Sequence, residues 1–324
     1  MTSDSSGASD PSSKASIWER VQTARHLQRP YMLDYLATCF SDFVELCGDR
    51  HFGDDQAMPG GFATIGKYRC VVIGHQKGRD TKENLKRNFG CANPEGYRKA
   101  LRLMRLAERF QLPVVSLIDT PGAYPGVGSE ERNIAEAIAY NLREMALLKT
   151  PIVAVILGEG GSGGALGVGV ADRVLMMENA YYSVISPEGC AAILWKDRKH
   201  AQDAALAMKP DAESIERLSV IDGVIPEPQG GAHTDPAAAA DLLQAEIIRS
   251  LDKLSALGIE DLLAARYEKF RAMGEFTDAS AVSPAPVTED SAMESPSTET
   301  TPAKESASEQ IDPDPLGGAT PSTA

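Results

Sequence analysis

The sequence has few cysteines, and none are spaced to bind a metal. Its 324 residues include five cysteines but no C-x-x-C pair, which excludes a zinc ribbon. Their odd number and the lack of a secretory apolar segment favour a reducing, cytoplasmic location. No apolar run approaches the roughly 18 residues of a membrane-spanning helix. The G-x-x-x-x-G-K-[ST] pattern of a P-loop is also missing.

Positive charge is scarce as well. Lys and Arg number 32 against 46 Asp and Glu, which gives a formal net charge of −14. Most of this excess lies beyond Phe276, where nine acidic residues accompany only one base, Lys304. The rest of the chain is only mildly acidic, so composition gives no case for nucleic acid binding.

Both ends of the chain lack the residues that a folded core requires. Residues 1–15 are rich in Ser and contain one base, Lys14, which predicts a disordered leader and argues against a transit peptide. Residues 277–324 contain no aromatic residue and are rich in Pro, Ser, Thr, Ala and Glu, which predicts a disordered acidic tail. Hydrophobic residues make up 43% of the chain, so residues 16–276 can form one sizeable folded domain.

Short apolar runs alternate with helical patterns through this domain. The alternation predicts an α/β fold with parallel strands and right-handed crossovers. The strands are predicted at 62–65 and 70–73, which form a pair, and at 114–118 and 151–157.

The helical patterns are equally clear. Apolar spacing predicts helices over 16–28 and 31–46. Asn93 and Pro94 are typical of a helix start, because Asn caps the first turn and Pro suits the first helical position. Ser129 marks the start of a further helix.

Two glycine-rich turns, 119–128 and 158–164, follow two of the predicted strands. Because the carboxyl ends of parallel strands meet at one edge of a sheet, both turns should lie on the same side. Small apolar residues follow the second turn and start a helix there. The first amides of a helix have no partner inside it and therefore attract negative charge.

The second turn fits several patterns. Gly158, Gly160 and Gly163 match the dinucleotide pattern G-x-G-x-x-G. Gly160, Ser162 and Gly164 match the nucleophile pattern G-x-S-x-G. A third interpretation needs no nucleophile: the backbone amides of Gly163 and Gly164 form an oxyanion hole. The turn could also serve only to pack a helix against a strand.

These interpretations meet different obstacles. A dinucleotide site requires a longer helix than the chain allows before Asp172. A serine hydrolase requires an acid and then a histidine after Ser162, and nothing marks His200 or His233 as a base. A hydrolase using Ser162 remains the alternative enzyme. A non-catalytic scaffold that completes a partner's site also remains open.

The stretch after the second predicted strand is the most basic in the chain. Lys77 and Arg79 begin it, and Lys82, Lys86 and Arg87 continue it. It is either a site for a phosphate or carboxylate, or a solvated basic loop.

Five stretches, in order along the chain, resemble one protein family, the α subunit of the acetyl-CoA carboxylase carboxyltransferase. The resemblance covers about residues 28–275. The stretches are 74–79, 94–99, 119–126, 158–166 and 186–196.

The resemblance implies the crotonase (ClpP-like) fold, a spiral of ββα units with flanking helices. It implies transfer of a carboxyl group from carboxybiotin on a carrier protein to acetyl-CoA, giving malonyl-CoA for fatty acid synthesis. The partners implied are a biotin carboxyl carrier protein, the ATP-using biotin carboxylase and a β subunit, which joins the α subunit as an α2β2 heterotetramer. In the family, the β subunit carries a four-Cys zinc ribbon and most of the contacts with CoA.

The resemblance also assigns the site. Gly163 and Gly164 would form the hole for the ureido oxygen of biotin, with Gly122 and Ala123 lining it. Two features depart from the family: the short helical segment before Arg29 and the acidic tail. The other substrate-binding residues expected are Gly160, Gly161, Lys77 and Arg79.

Overall fold

The structure is a computed structural model that describes residues 16–274. The predicted disordered leader and tail lie outside the described residues. No helix within this range is long and apolar enough to cross a membrane. The helices of the described range are α1 (Ile17–Ala24), α2 (Met32–Cys39), α3 (Thr81–Lys86), α4 (Pro94–Phe110), α5 (Val127–Glu131), α6 (Ile134–Leu147), α7 (Ser162–Leu166), α8 (Pro187–Leu194), α9 (Ala201–Met208), α10 (Ala212–Arg217), α11 (Pro236–Leu254) and α12 (Ile259–Arg271).

The strands form one mixed sheet. Its order is β1-β2-β3-β4-β5-β6-β8, and β7 pairs with the second half of β5. The pairs β1–β2 and β2–β3 are antiparallel, and the other pairs are parallel. The strands are β1 (Ser41–Glu45), β2 (Gly60–Ile65), β3 (Tyr68–Gly74), β4 (Val114–Thr120), β5 (Ile152–Gly161), β6 (Arg173–Met177), β7 (Tyr181–Ser183) and β8 (Gly223–Ile225).

The two central strands, β4 and β5, are buried along their entire length. Their near-continuous apolar sequences suit this position, because a parallel strand with both faces covered has no polar side. β5 is long enough to pair with two further strands on one side. Ile156 pairs with Met176 of β6, and Gly160 further along pairs with Tyr182 of β7. Its carboxyl end therefore continues past β6 and carries the second glycine turn.

The predicted α/β alternation is confirmed, including the β2–β3 pair and the start of α4. Asn93 occupies the N-cap position of that helix, and Pro94 is its first residue. The Asn93 side chain does not cap the helix, however. It accepts a hydrogen bond from the Ser129 hydroxyl at 2.8 Å and so ties α4 to α5.

The predicted helix over 31–46 is wrong in its second half. Helix α2 ends at Cys39, Phe40 is extended, and 41–45 form the edge strand β1, antiparallel to β2. The apolar spacing of Phe40, Phe43 and Val44 suggested a helix, but Val44 is 59% exposed and faces no core. Backbone pairing with β2 therefore decides the structure of these residues, despite their helical spacing.

Candidate active site at the ends of the central strands

The two glycine turns meet at the carboxyl ends of β4 and β5, as the parallel topology predicts. Thr120 pairs with Gly160 across the two strands. A Cβ atom on Gly161 would lie 2.1 Å from the carbonyl oxygen of Pro121, and one on Gly164 would lie 2.4 Å from the carbonyl carbon of Gly122. The backbones of the two turns therefore touch, and only residues without side chains allow it.

Helix α7 begins directly at the second turn. Ser162 is exposed and has a φ of +53°, a left-handed conformation that turns the chain sharply from strand to helix. Gly161 holds the N-cap position and offers no side chain to the first amides. No hydrogen bond from the Gly163 or Gly164 amide to another segment occurs in residues 16–274. As first-turn amides, these N–H groups have no partner within the helix either.

A small pocket of about 270 Å³ opens beside Gly163. Its walls are mostly apolar. Gly163 has room for a small side chain, because a Cβ atom there would make an ordinary van der Waals contact with Ile138 Cδ1, at 3.7 Å. An apolar pocket with donors at its edge suits an uncharged ring that carries one hydrogen-bond acceptor. The other lining residues are Ser162, Leu166, Tyr182, Ser183, Val184, Ile215 and Val220.

A buried ion cluster lies behind the turns and joins three strand ends. Lys77, just after β3, places its Nζ 2.6 Å from Asp119 Oδ1 of β4 and 2.8 Å from Glu159 Oε1 of β5. The backbone amide of Glu159 donates to Asp119 Oδ1 at 2.8 Å. One ammonium group thus binds a residue at the start of each glycine turn.

A second cation completes this cluster from the N-terminal segment. Arg25 Nε lies 2.8 Å from Glu159 Oε2, and its Nη1 lies 2.7 Å from Glu188 Oε1. The Tyr181 hydroxyl also donates to Glu159, at 2.6 Å. Burial alone would raise the pKa of Glu159, but Lys77, Arg25 and the Tyr181 hydrogen bond lower it to about 2. The carboxylate therefore stays charged at neutral pH.

Comparison with known proteins places this geometry in a family. The family model described as acetyl co-enzyme A carboxylase carboxyltransferase-like matches residues 7–274. The chain belongs to this family. Relatives named acetyl-coenzyme A carboxylase carboxyl transferase subunit alpha include one from Geobacter metallireducens, 58% identical over 263 residues, covering 81% of this chain and 83% of the relative. Another, from Geobacter sulfurreducens, is 58% identical over 266 residues, covering 82% and 83%.

Solved structures agree on the fold of this carboxyltransferase-family chain. The transcarboxylase 12S structure with methylmalonyl-coenzyme A and methylmalonic acid bound superposes with a TM-score of 0.59 at 18% identity. The match covers 74% of this chain and 45% of that one, so the chain spans less than half of the transcarboxylase. At this identity the likeness concerns the fold alone. It confirms the expected crotonase-like α/β architecture.

The structure brings together some of the expected site residues of the family and separates others. Gly163, Gly164, Gly122 and Ala123 converge where the two turns meet. Gly160 and Gly161 are buried at the carboxyl end of β5, beside the same junction. Lys77 is held in the ion cluster, and Arg79 pairs with Asp34.

Lys77 and Arg79 were candidates for an anion site, but both already have internal partners. Lys77 is 8% exposed and bound to two carboxylates. The guanidinium of Arg79 bonds to Asp34 and donates to the carbonyl oxygens of Leu27 and Arg29. Both cations therefore fasten segments of this chain to one another.

Sequence analysis missed Asp119, Glu159 and Arg25 as parts of the site. Asp119 and Glu159 each lie at the start of a glycine turn, where a charged residue at the end of a buried strand is itself a signal. Arg25 gave no signal, because its partner Glu159 is 134 residues away in the chain.

The hydrolase alternative lacks a base. No histidine lines the pocket beside Ser162. The imidazole of His200 lies 2.9 Å from Asp203 and stacks on Trp195, and that of His233 stacks on His26 at 3.8 Å. The turn at Ser162 has the sharp geometry of a nucleophile elbow, but its pocket supplies no general base to activate the hydroxyl.

Proposed function

We propose that this chain is the α component of an acetyl-CoA carboxylase carboxyltransferase. It receives carboxybiotin on a biotin carboxyl carrier protein and takes part in moving the carboxyl group to acetyl-CoA, giving malonyl-CoA. Family membership over nearly all of the described residues supports the reaction. The observation that carries the site is the pair of consecutive amides at Gly163 and Gly164 without a partner in another described segment, with Gly163 at the edge of an apolar pocket.

The amides have a clear chemical task in this reaction. As the bond between the ureido nitrogen and the carboxyl group breaks, negative charge develops on the ureido oxygen. The N–H groups of Gly163 and Gly164 would donate to that oxygen from fixed positions and so stabilise the charge as it forms. Gly122 and Ala123 hold α7 in place by backbone contact.

The proton balance requires no side chain from this chain. The ureido nitrogen freed of its carboxyl group takes a proton from the acetyl methyl group, and the methyl carbon forms the new bond to the carboxyl carbon. This explains why the pocket needs neither a histidine nor a carboxylate. Within residues 16–274 no group of three or more His, Cys, Asp or Glu side chains could hold a metal ion.

A partner surface borders the pocket. Val184 lines it and is 80% exposed, and Ile193, Leu194 and Trp195 of the following segment are exposed as well. Apolar side chains grouped in this way mark a protein contact. The β subunit would cover them and supply the zinc ribbon and most contacts with CoA, in an α2β2 assembly. Biotin carboxylase would use ATP to carboxylate the biotin of the carrier again, in the cytoplasm.

We expect the purified chain to be inactive by itself. It should form no malonyl-CoA and contain no stoichiometric zinc, because the proposed acetyl-CoA site lies mostly on the β subunit. Adding a β subunit and a carboxybiotin carrier should restore malonyl-CoA formation, measured by mass spectrometry. Robust turnover by the isolated chain would refute the division of labour between the subunits.

Ser162→Ala separates the transferase from the hydrolase. We expect the assembled variant to retain much of its transferase rate, because the proposed mechanism does not use the hydroxyl. Serine-directed fluorophosphonates should leave the native chain unlabelled. Stoichiometric labelling of Ser162, or loss of nearly all activity on its removal, would assign it as a nucleophile.

A further inference from the structure

A second and larger concavity lies along α4 and shares no lining residue with the pocket beside Gly163. Its volume is about 940 Å³. Arg98, Arg102, Arg105 and Arg109 of α4 line it at intervals of three and four residues, which places them on one face of the helix. Two more arginines, Arg50 and Arg132, reach it from neighbouring segments. This arginine pocket occurs in a chain of net charge −14.

Only half of these six arginines have carboxylate partners. Ion pairs join Arg98 to Asp49 at 2.8 Å, Arg105 to Glu144 at 2.8 Å and Arg132 to Glu95 at 2.9 Å.

The other three arginines have no carboxylate within ion-pair distance among the described residues. They are Arg50, Arg102 and Arg109, and one acid without an ion pair, Glu136, shares the lining with them. The pocket thus keeps an excess of positive charge.

Arg50 and Arg102 converge on one backbone carbonyl. Arg102 Nη2 donates to the Cys47 oxygen at 3.2 Å, and Arg50 Nη1 donates to the same oxygen at 3.0 Å. Burial and the charge of Arg50 lower the pKa of Arg102. The nearby carboxylates Asp54 and Asp49 offset part of this effect. Neither guanidinium has a carboxylate within ion-pair distance among the described residues, however, so a bound anion would relieve their repulsion.

We infer that the arginine pocket binds a small ligand with two or more phosphate groups, either a free nucleotide or the nucleotide end of a coenzyme A ester. Guanidinium groups match phosphate oxygens in geometry and charge. The apolar and aromatic residues Leu101, Leu106, Phe52 and Tyr140 also line the pocket and suit a base or sugar. Its volume of about 940 Å³ suits a small molecule better than a flat acidic protein surface.

The test is calorimetric titration of the full-length chain with ADP, coenzyme A and inorganic pyrophosphate, at low and raised salt. All three should bind, and more weakly in raised salt. The pocket variant Arg50→Gln/Arg109→Gln removes two exposed charges of the pocket and should weaken ADP binding at least about tenfold. The control Arg249→Gln/Arg271→Gln removes the same charge elsewhere and should bind as the native chain does. Tighter binding of ADP than of coenzyme A supports a free nucleotide as the ligand, and the reverse order supports the coenzyme.

Equal affinity of the pocket and control variants, or no binding by the native chain, would overturn the inference. So would a pocket variant that binds ADP normally but no longer elutes with the β subunit, because the pocket would then be a protein interface. The titration measures binding and needs no turnover. A failure to bind ADP would therefore overturn this inference without affecting the proposed function, which malonyl-CoA formation tests. If the ligand is a free nucleotide, the assembled pocket variant should keep the native KM for acetyl-CoA, and if it is the coenzyme, that KM should rise.

Discussion

Lys77→Met is expected to destabilise the fold by about 3–5 kcal/mol, because removing one partner of a buried ion cluster leaves the charges of the others uncompensated. Methionine keeps most of the volume of the side chain but leaves Asp119 with no cation. Both carboxylates are nearly excluded from water, with side chains 1% and 11% exposed for Asp119 and Glu159. Arg25 still pairs with Glu159, so we expect the destabilisation mainly at the carboxyl ends of β3 and β4.

The change should appear as a drop in Tm on the order of 10 °C. It should also lower malonyl-CoA formation beyond the loss of folded protein, because Lys77 joins the strand ends that carry both glycine turns. Lys99→Met is the matched control. Lys99 is more deeply buried, at 0% exposed against 8% for Lys77, and its Nζ lies 2.6 Å from Asp54. It belongs to neither turn, so its loss should reduce stability without changing turnover per folded molecule.

Two outcomes would contradict this account of the ion cluster. One is a Lys77→Met variant with native Tm, which would mean that the carboxylates are solvated or protonated in the native state. The other is equal turnover per folded molecule in the Lys77 and Lys99 variants. The cluster would then stabilise the fold but would not position the turns.

The ion cluster shows why part of the site was beyond sequence analysis. Lys77 lies 42 residues from Asp119 and 82 residues from Glu159, so no local pattern couples them. In the sequence, Lys77 belongs to a basic stretch, and its burial depends on the parallel order of three strands. The same limit applies to β1, where an edge pairing with β2 decided the structure of residues with helical spacing.

The glycine turns could be predicted because their signals are local. Each follows a buried apolar run, and adjacent parallel strands must place their carboxyl ends together. The sequence could not divide the roles of the two glycines in α7, however. Gly163 borders the pocket and has room for a methyl group beside Ile138, whereas Gly164 packs against the backbone of Gly122.

That difference provides the sharpest test of the oxyanion hole. Gly163→Ala keeps the amide and adds a methyl group to a residue that lines the pocket, where the ureido ring must approach. Its φ lies outside the left-handed region, and the nearest atom to the new Cβ is Ile138 Cδ1 at 3.7 Å. The fold should therefore be unchanged, or more stable by up to about 1 kcal/mol, since alanine loses less backbone entropy than glycine.

Turnover should nevertheless fall by about a hundredfold, as it does when one oxyanion donor is lost, because the methyl group would hold the ureido oxygen away from the amide. Gly164→Ala is the matched control, since its Cβ would lie 2.4 Å from the Gly122 carbonyl carbon and should cost about 1–3 kcal/mol by overpacking. Opposite effects on Tm with a common loss of malonyl-CoA formation would fit the hole, provided that both variants still elute with the β subunit. If Gly163→Ala keeps native turnover, the ureido ring does not approach Gly163. The glycines of α7 then serve packing alone, and the reacting group must bind elsewhere.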